Sequence, residues 1–308
     1  MILQTGMRTD IPAFYSDWFI NRIKEGYVLV RNPYNQSAVI KYQINPDVVD
    51  LIAFCTKNPA PMLKHMDILK PYGQYWFVTI TPYGREIEPN VPDKKQVMDN
   101  FKILSKTVGV DCVGWRYDPI FISDKYSLDF HIDAFEKMAK ELSEYTNTCI
   151  ISFIDLYEKV LRNFPQVRMV SRGERLNIGK TFAEIGRKYG ITIKACAEGE
   201  ELKNCGIDCN GCLTKATYEI ALNARLNMPK IKGQRNECAC FFGNDIGAYD
   251  TCRHFCRYCY ANSDRRAVLN NSKLHNPESP FLIGGHRIGD KITEAKQESW
   301  IDNQLVLL

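Results

Sequence analysis

The strongest constraint on this chain is a rhythm. Six short, almost wholly apolar runs recur along its first two-thirds, at residues 2–5, 48–55, 75–80, 111–115, 148–153 and 191–196. Runs such as CIISF and ITIKAC lack the polar–apolar alternation of a half-exposed strand, so they fit strands covered on both faces. Longer segments with helical periodicity lie between them, at 13–24, 61–69, 94–108, 130–145 and 174–189. Strand–helix alternation at this spacing calls for right-handed crossovers and a parallel sheet. Six such units without a dinucleotide-binding glycine fingerprint predict an α/β fold, a TIM-like (β/α) barrel or a partial six-stranded barrel. A hairpin, YVLVRNP turning through residues 34–37 into AVIKYQ, decorates the loop after the first helix.

With 308 residues, 45% of them hydrophobic, the chain can bury a full core. A barrel body at 1–198 is expected, with a cysteine-rich, loop-rich, iron–sulfur-binding segment at 199–308 packed on it. From about Pro229 onward Asn, Asp, Gly and Cys dominate, and the final apolar residues of the tail are expected to dock on the body. A net charge of +4 gives no strong nucleic-acid signal, because neutralising a phosphate backbone needs clustered Lys and Arg. No stretch approaches the ~20 consecutive apolar residues of a membrane span. The N-terminus meets Arg8 and Asp10 too early for a secretory apolar region. The expected location is the cytoplasm, where thiols stay reduced.

Twelve cysteines then mean metal or chemistry more than disulfides. Nine of them crowd between residues 196 and 259. The spacing Cys252-x3-Cys256-x2-Cys259 lets one loop offer three thiolates to three irons of a 4Fe–4S cluster, leaving the fourth iron open or ligated from elsewhere. Tetrahedral zinc more often uses two paired-cysteine hooks. Tyr258 and Tyr260 would shield the cluster. His254 would either hydrogen-bond a cluster sulfur or stand as a solvent-exposed loop histidine. Upstream, Cys205-x3-Cys209-x2-Cys212 repeats the spacing, and Cys238 and Cys240 follow. A second cluster would use Cys205, Cys209 and Cys212 plus one other thiol, or Cys196, Cys212, Cys238 and Cys240. Zinc held by four thiolates is the alternative for this second site.

In parallel α/β folds chemistry gathers where the strands end. Those positions supply Arg8, Thr9, Asp10, Lys57, Asn58, Thr79, Thr81, Arg116, Asp118, Ser152, Asp155, Lys194 and Glu198. Arg8, Asp10, Lys57, Arg116 and Asp118 are the candidate catalytic contacts for a small or medium substrate.

The pattern CxxxCxYC resembles the cluster-binding motif of radical S-adenosylmethionine (SAM) enzymes, and CRHFCRYCYAN is most similar to the version in the spore photoproduct lyase branch. The chain as a whole, through RTDIPAF, GYVLVRNP, TKNP, WRYDPI, ISF and DIGAYDTCRHFCRYCYAN, resembles a bacterial domain-of-unknown-function family whose C-terminal cysteines have been likened to that motif. The resemblance implies that Cys252, Cys256 and Cys259 each ligate one iron and that the open iron chelates SAM. One-electron reduction would then yield a radical that abstracts hydrogen from substrate. It also implies an electron donor such as a ferredoxin or flavodoxin. Radical SAM enzymes carry the motif after their first strand, so here a circular permutation is implied, with 237–242 as the strand feeding the loop. The alternative is a SAM-independent redox protein with two clusters, in which a thiol such as Cys240 closes the fourth iron.

Overall fold

The computed structural model describes residues 1–229 and 238–302. Its strands, in chain order, are β1 (Ile2–Gln4), β2 (Tyr27–Arg31), β3 (Ala38–Gln43), β4 (Leu51–Thr56), β5 (Gly73–Thr79), β6 (Val113–Ile120), β7 (Thr148–Phe153), β8 (Thr192–Ala195), β9 (Asn244–Asp245) and β10 (Lys291–Glu294). Seven build one sheet in the order β8-β7-β6-β5-β4-β1-β9. Every pairing in it is parallel. The α/β class follows from the six apolar runs, each of which supplies one strand. The seventh strand comes from the cysteine-rich segment, with Asn244 opposite Leu3 and Asp245 opposite Gln4.

Continuous apolar strands are explained by two covered faces. In β4, Ile52 and Phe54 enter the main core while Leu51 and Ala53 enter a second one. In β5, Trp76 and Val78 divide from Tyr75 and Phe77 in the same way. Helices Ser16–Glu25, Lys94–Val108, Leu128–Leu142 and Arg172–Lys188 cover the main-core face through Trp18, Phe101, Phe135 and Phe182. Their starts are fixed locally. Asp93 and Ser127 accept backbone N–H groups at two of the N-termini, and Ser171 with Glu174 forms a reciprocal capping box at a third. The other face is covered by Leu213, Tyr218, Leu226 and the buried thiols Cys212 and Cys240.

The barrel expectation needs correction. The sheet has seven strands, and among the described residues its edge strands β8 and β9 do not pair, so no closed barrel forms. Irregular chain lies along the seam. Asp208 bridges to Lys194 of β8, and Phe241 N–H donates to Leu213 C=O (2.7 Å) just before β9. These stretches are rich in Gly, Asn and Cys and lack the β-branched run that a regular strand prefers. The strand expected at 237–242 is displaced. Glu237 lies outside the described residues, 238–242 is irregular, and pairing begins at Asn244. Gly243 is required there, because a Cβ would sit 2.2 Å from Ile2 C=O.

The expected hairpin is present as antiparallel β2 and β3, with β10 added parallel to β3. The segment from residue 199 onward therefore contributes a strand to each sheet, beyond packing on a finished body. The last apolar residues of the tail lie outside the described residues. Among the described residues no helix is long and apolar enough to cross a membrane.

Candidate functional site

All seven strands of the large sheet end on one edge, and the loop following β9 places Cys252, Cys256 and Cys259 there. Left-handed backbone at Asp250 and Phe255 (φ +56° at each) lets this short loop reverse direction. A turn with Cys259 N–H on Cys256 C=O (3.1 Å) closes it. Burial pushes all three thiols up from their ordinary range. At Cys256 the Lys57 ammonium opposes that push, and at Cys259 the backbone N–H groups of Ala261 and Asn262 do. The three are close enough for charge on one to raise another: Cys259 and Cys256 both act on Cys252.

Side chains from other strand ends fix the loop. Asp10, buried after β1, accepts from Ala13 N–H (3.0 Å) and Lys57 N–H (2.8 Å) and bonds His254 Nε2 at 2.9 Å. His254 Nδ1 faces Asn90 C=O (3.3 Å), so both ring nitrogens hold the loop to the fold and neither is spent on a sulfur. Asn262 Nδ2 donates to Cys252 C=O (2.8 Å), and Tyr260 O–H to Met7 C=O (2.6 Å). Arg8 is occupied by Asp245 of β9, through Nε to Oδ2 (2.5 Å) and a second bond to the backbone carbonyl. It joins β1's end to β9's and is less free for substrate than the sequence suggested.

Lys57 belongs to a buried network centred on Glu88, a residue that sequence reasoning did not single out. Glu88 accepts from Lys57 Nζ (2.8 Å), Thr81 Oγ1 (2.7 Å), Lys94 Nζ and the Tyr258 hydroxyl. Burial alone would raise its pKa, but Lys57 and Lys94 overcome that and hold the carboxyl down at about 2. The two lysines share one carboxylate and respond differently. At Lys57 burial is the largest single influence and lowers the pKa, but Glu88, Cys256 and Asp118 together raise it, whereas burial and the Lys57 charge keep Lys94 lowered. Tyr258 thus ties the cysteine loop to the loop after β5, and the Lys57 ammonium lies 5.4 Å from its ring centre. Glu88 sits in a long loop with no motif around it. Its one legible hint is an acid next to the apolar Ile87, which is itself buried.

Arg116 and Asp118 pair at the end of β6 (Nη2 to Oδ2 2.5 Å), and Ser152 of β7 also bonds Asp118. Glu198, past β8, accepts from Phe153 N–H (2.7 Å) with Arg175 at 3.5 Å. Burial dominates there and raises its pKa to about 8, so this carboxyl keeps a proton at neutral pH.

The second cysteine group is brought together only in part. Cys212 Sγ lies 3.8 Å from Cys196 Sγ and 3.3 Å from Cys240 Sγ, and Cys238 interacts with Cys240. Cys212, then Cys238, with backbone N–H groups assisting, hold the Cys240 thiol well below its ordinary range. Cys205 and Cys209 instead donate to backbone carbonyls of Leu176 (3.6 Å) and Ile207 (3.7 Å). The repeated spacing therefore splits, with only its last member joining the group. Among the described residues, no three ligand-type side chains are already arranged around one ion position.

Three thiols on one loop are the kind of donor set that a cluster takes. Among the buried side-chain polar atoms left without a partner in the described residues, Thr5 Oγ1 and Thr9 Oγ1 follow β1 and Asn262 Oδ1 follows Cys259. Buried polar atoms are normally satisfied, so the chain just after β1 and just after Cys259 has unspent hydrogen-bonding capacity.

The same stretch of chain carries the family relationship. The model of a domain of unknown function, DUF1848, matches residues 2–261. The chain belongs to this family. The match spans every strand of the large sheet and stops just past Cys259, before β10. No curated protein matches the chain.

Proposed function

We propose that this member of the family is an iron–sulfur enzyme of the radical SAM type, acting on a small or medium substrate at the strand-end edge. The observation that carries the reading is the loop after β9, which offers Cys252, Cys256 and Cys259, all buried enough to raise their pKa, beside a ring of charged strand-end residues. A 4Fe–4S cluster bound by these three thiolates, with SAM on its open iron, would supply one-electron radical chemistry. The strand order supports the comparison. In space β9 stands next to β1 at the end of the sheet, an order compatible with a circular permutation in which the strand feeding the cysteine loop comes first.

The chain's own residues would do the rest. Lys57 and the backbone N–H groups of Ala261 and Asn262 offset negative charge on the sulfurs. Asp10 with His254, and Glu88 with Tyr258, hold the loop in place. Arg116 and Asp118 are the polar contacts offered to substrate, with Glu198 as a nearby proton carrier. An electron donor such as a ferredoxin or flavodoxin, in a reducing cytoplasm, would complete the system. The SAM-independent relay requires a fourth thiolate, and Cys240, the thiol expected in that role, is engaged with Cys212.

Anaerobic reconstitution with iron and sulfide, then EPR of the reduced protein with and without SAM, tests this. A SAM-dependent change in the spectrum, with SAM consumed, is the expected result. A spectrum indifferent to SAM, with no SAM cleaved, overturns the SAM step.

A further inference from the structure

We infer that Cys196, Cys212, Cys238 and Cys240 form a separate site for one tetrahedral, thiolate-bound divalent ion of the zinc type, which closes the seam between the first and last strands of the sheet.

The thiol spacing points to a single ion. Zinc–thiolate bonds of about 2.3 Å in a tetrahedron place neighbouring sulfurs about 3.8 Å apart. The observed Sγ–Sγ separations are 3.8 Å for Cys196 to Cys212 and 3.3 Å for Cys212 to Cys240. A cubane cluster binds each thiolate to a different iron and so spreads its ligands wider than one shared ion does. Cys238, which interacts with Cys240, would supply the fourth thiolate once the side chains turn toward a common centre.

The four thiols also sit at the seam. Cys196 ends the β8 side, Cys212 belongs to the chain that bridges to β8 through Asp208, and Cys238 and Cys240 lead toward β9. The four thiols thus lie on the two sides of the gap that hydrogen bonding leaves open. Among the described residues the ties across it include Phe241 N–H to Leu213 C=O (2.7 Å) and the Tyr218 hydroxyl to Phe241 C=O (2.9 Å), none of them a strand ladder. An ion here would do what a β8–β9 ladder does in a closed sheet.

The surroundings favour thiolate. Backbone N–H groups of Cys212 (3.2 Å) and Leu213 (3.4 Å) point at Cys240 Sγ, and Arg116 Nη2 lies 3.8 Å from Cys196 Sγ. Four thiolates on a divalent ion leave two negative charges, and the guanidinium offsets part of that. Close approach is built into the backbone: Gly211 is left-handed (φ +100°), and a Cβ there would stand 3.1 Å from the carbonyl carbon of Ala239. Each thiol that ligates releases its proton to solvent, so loading is coupled to pH.

This site shares no thiol with the proposed cluster, and Cys256→Ala separates the two. Chelator-stripped Cys256→Ala protein, titrated anaerobically with Co²⁺, should develop the visible absorption of tetrahedral cobalt–thiolate at one ion per chain. Zn²⁺ should displace that ion, and no acid-labile sulfide should be present. Adding Cys212→Ser or the more accessible Cys238→Ser should abolish the signal, while Cys205→Ser or Cys209→Ser should leave it intact. Absence of a tetrahedral cobalt spectrum in the Cys256→Ala protein overturns the inference. So does inorganic sulfide that survives Cys256→Ala and disappears with Cys212→Ser, because that marks a second cluster.

Discussion

Replacing Glu88 by Gln removes the charge on which four side chains depend while keeping nearly the same shape. The Glu88 side chain is 1% exposed and is bonded to Lys57, Lys94, Thr81 and Tyr258. A carboxyl moved from its ordinary 4.5 to about 2 corresponds to about 3 kcal/mol of folded-state stabilisation. Removing one partner of a buried ion pair typically costs about 3–5 kcal/mol, because the opposite charge is left uncompensated. The two routes agree, so Glu88→Gln should lose about 3 kcal/mol at pH 7, a fall in Tm of roughly 5 °C for a chain of this size. The pH dependence has a definite sign. A depressed carboxyl pKa gives stability that is complete above pH 4.5 and is lost as pH falls toward 2. The gap between wild type and Glu88→Gln should therefore be full at pH 7 and narrow steadily below pH 4.5. Circular-dichroism melts of metal-free protein across that range provide the assay. A Glu88→Gln protein melting with wild type at pH 7, or a gap that does not narrow in acid, would refute the reasoning.

Asp10→Asn weakens the tie between His254 and the fold, and should cost about 1–3 kcal/mol and lower iron retained after anaerobic reconstitution, read by iron analysis. Glu198 is an acid whose folded pKa is raised to about 8, so its ionisation opposes folding increasingly from pH 4.5 to pH 8. Glu198→Gln should gain on wild type by a few kcal/mol between pH 5 and pH 9, seen as a rising Tm difference; a difference independent of pH contradicts the assignment. Gly243→Ala drives a Cβ into the Ile2 carbonyl and should destabilise the β1–β9 junction, giving faster amide hydrogen exchange at Leu3 to Thr5.

Six strands and the long helices were legible because their signals are periodic and local. The helix predicted at 94–108 is observed at Lys94–Val108, where Asp93 caps a regular amphipathic run. Elements that depend on distant partners were not legible. β9 is two polar residues, Asn244 and Asp245, and becomes a strand only because β1 lies beside it. β10 is KITE, exposed along its whole length and held by pairing with β3. The segment read as one helix at 61–69 is two single turns, Ala60–Leu63 and Met66–Leu69. At the site, the cysteine spacing was readable since one loop supplies all three thiols. The Glu88 network was hidden because its members, Lys57, Thr81, Lys94 and Tyr258, meet only in the fold. Arg8 and His254 were visible as polar residues, but their partners, Asp245 and Asp10, could be assigned only from the structure.

The claim that Cys252, Cys256 and Cys259 hold a 4Fe–4S cluster is tested most directly by iron and acid-labile sulfide in anaerobically reconstituted wild type and Cys256→Ala. The account predicts four sulfides per chain in the wild type and almost none in Cys256→Ala. A Cys256→Ala protein with undiminished iron and sulfide would contradict it.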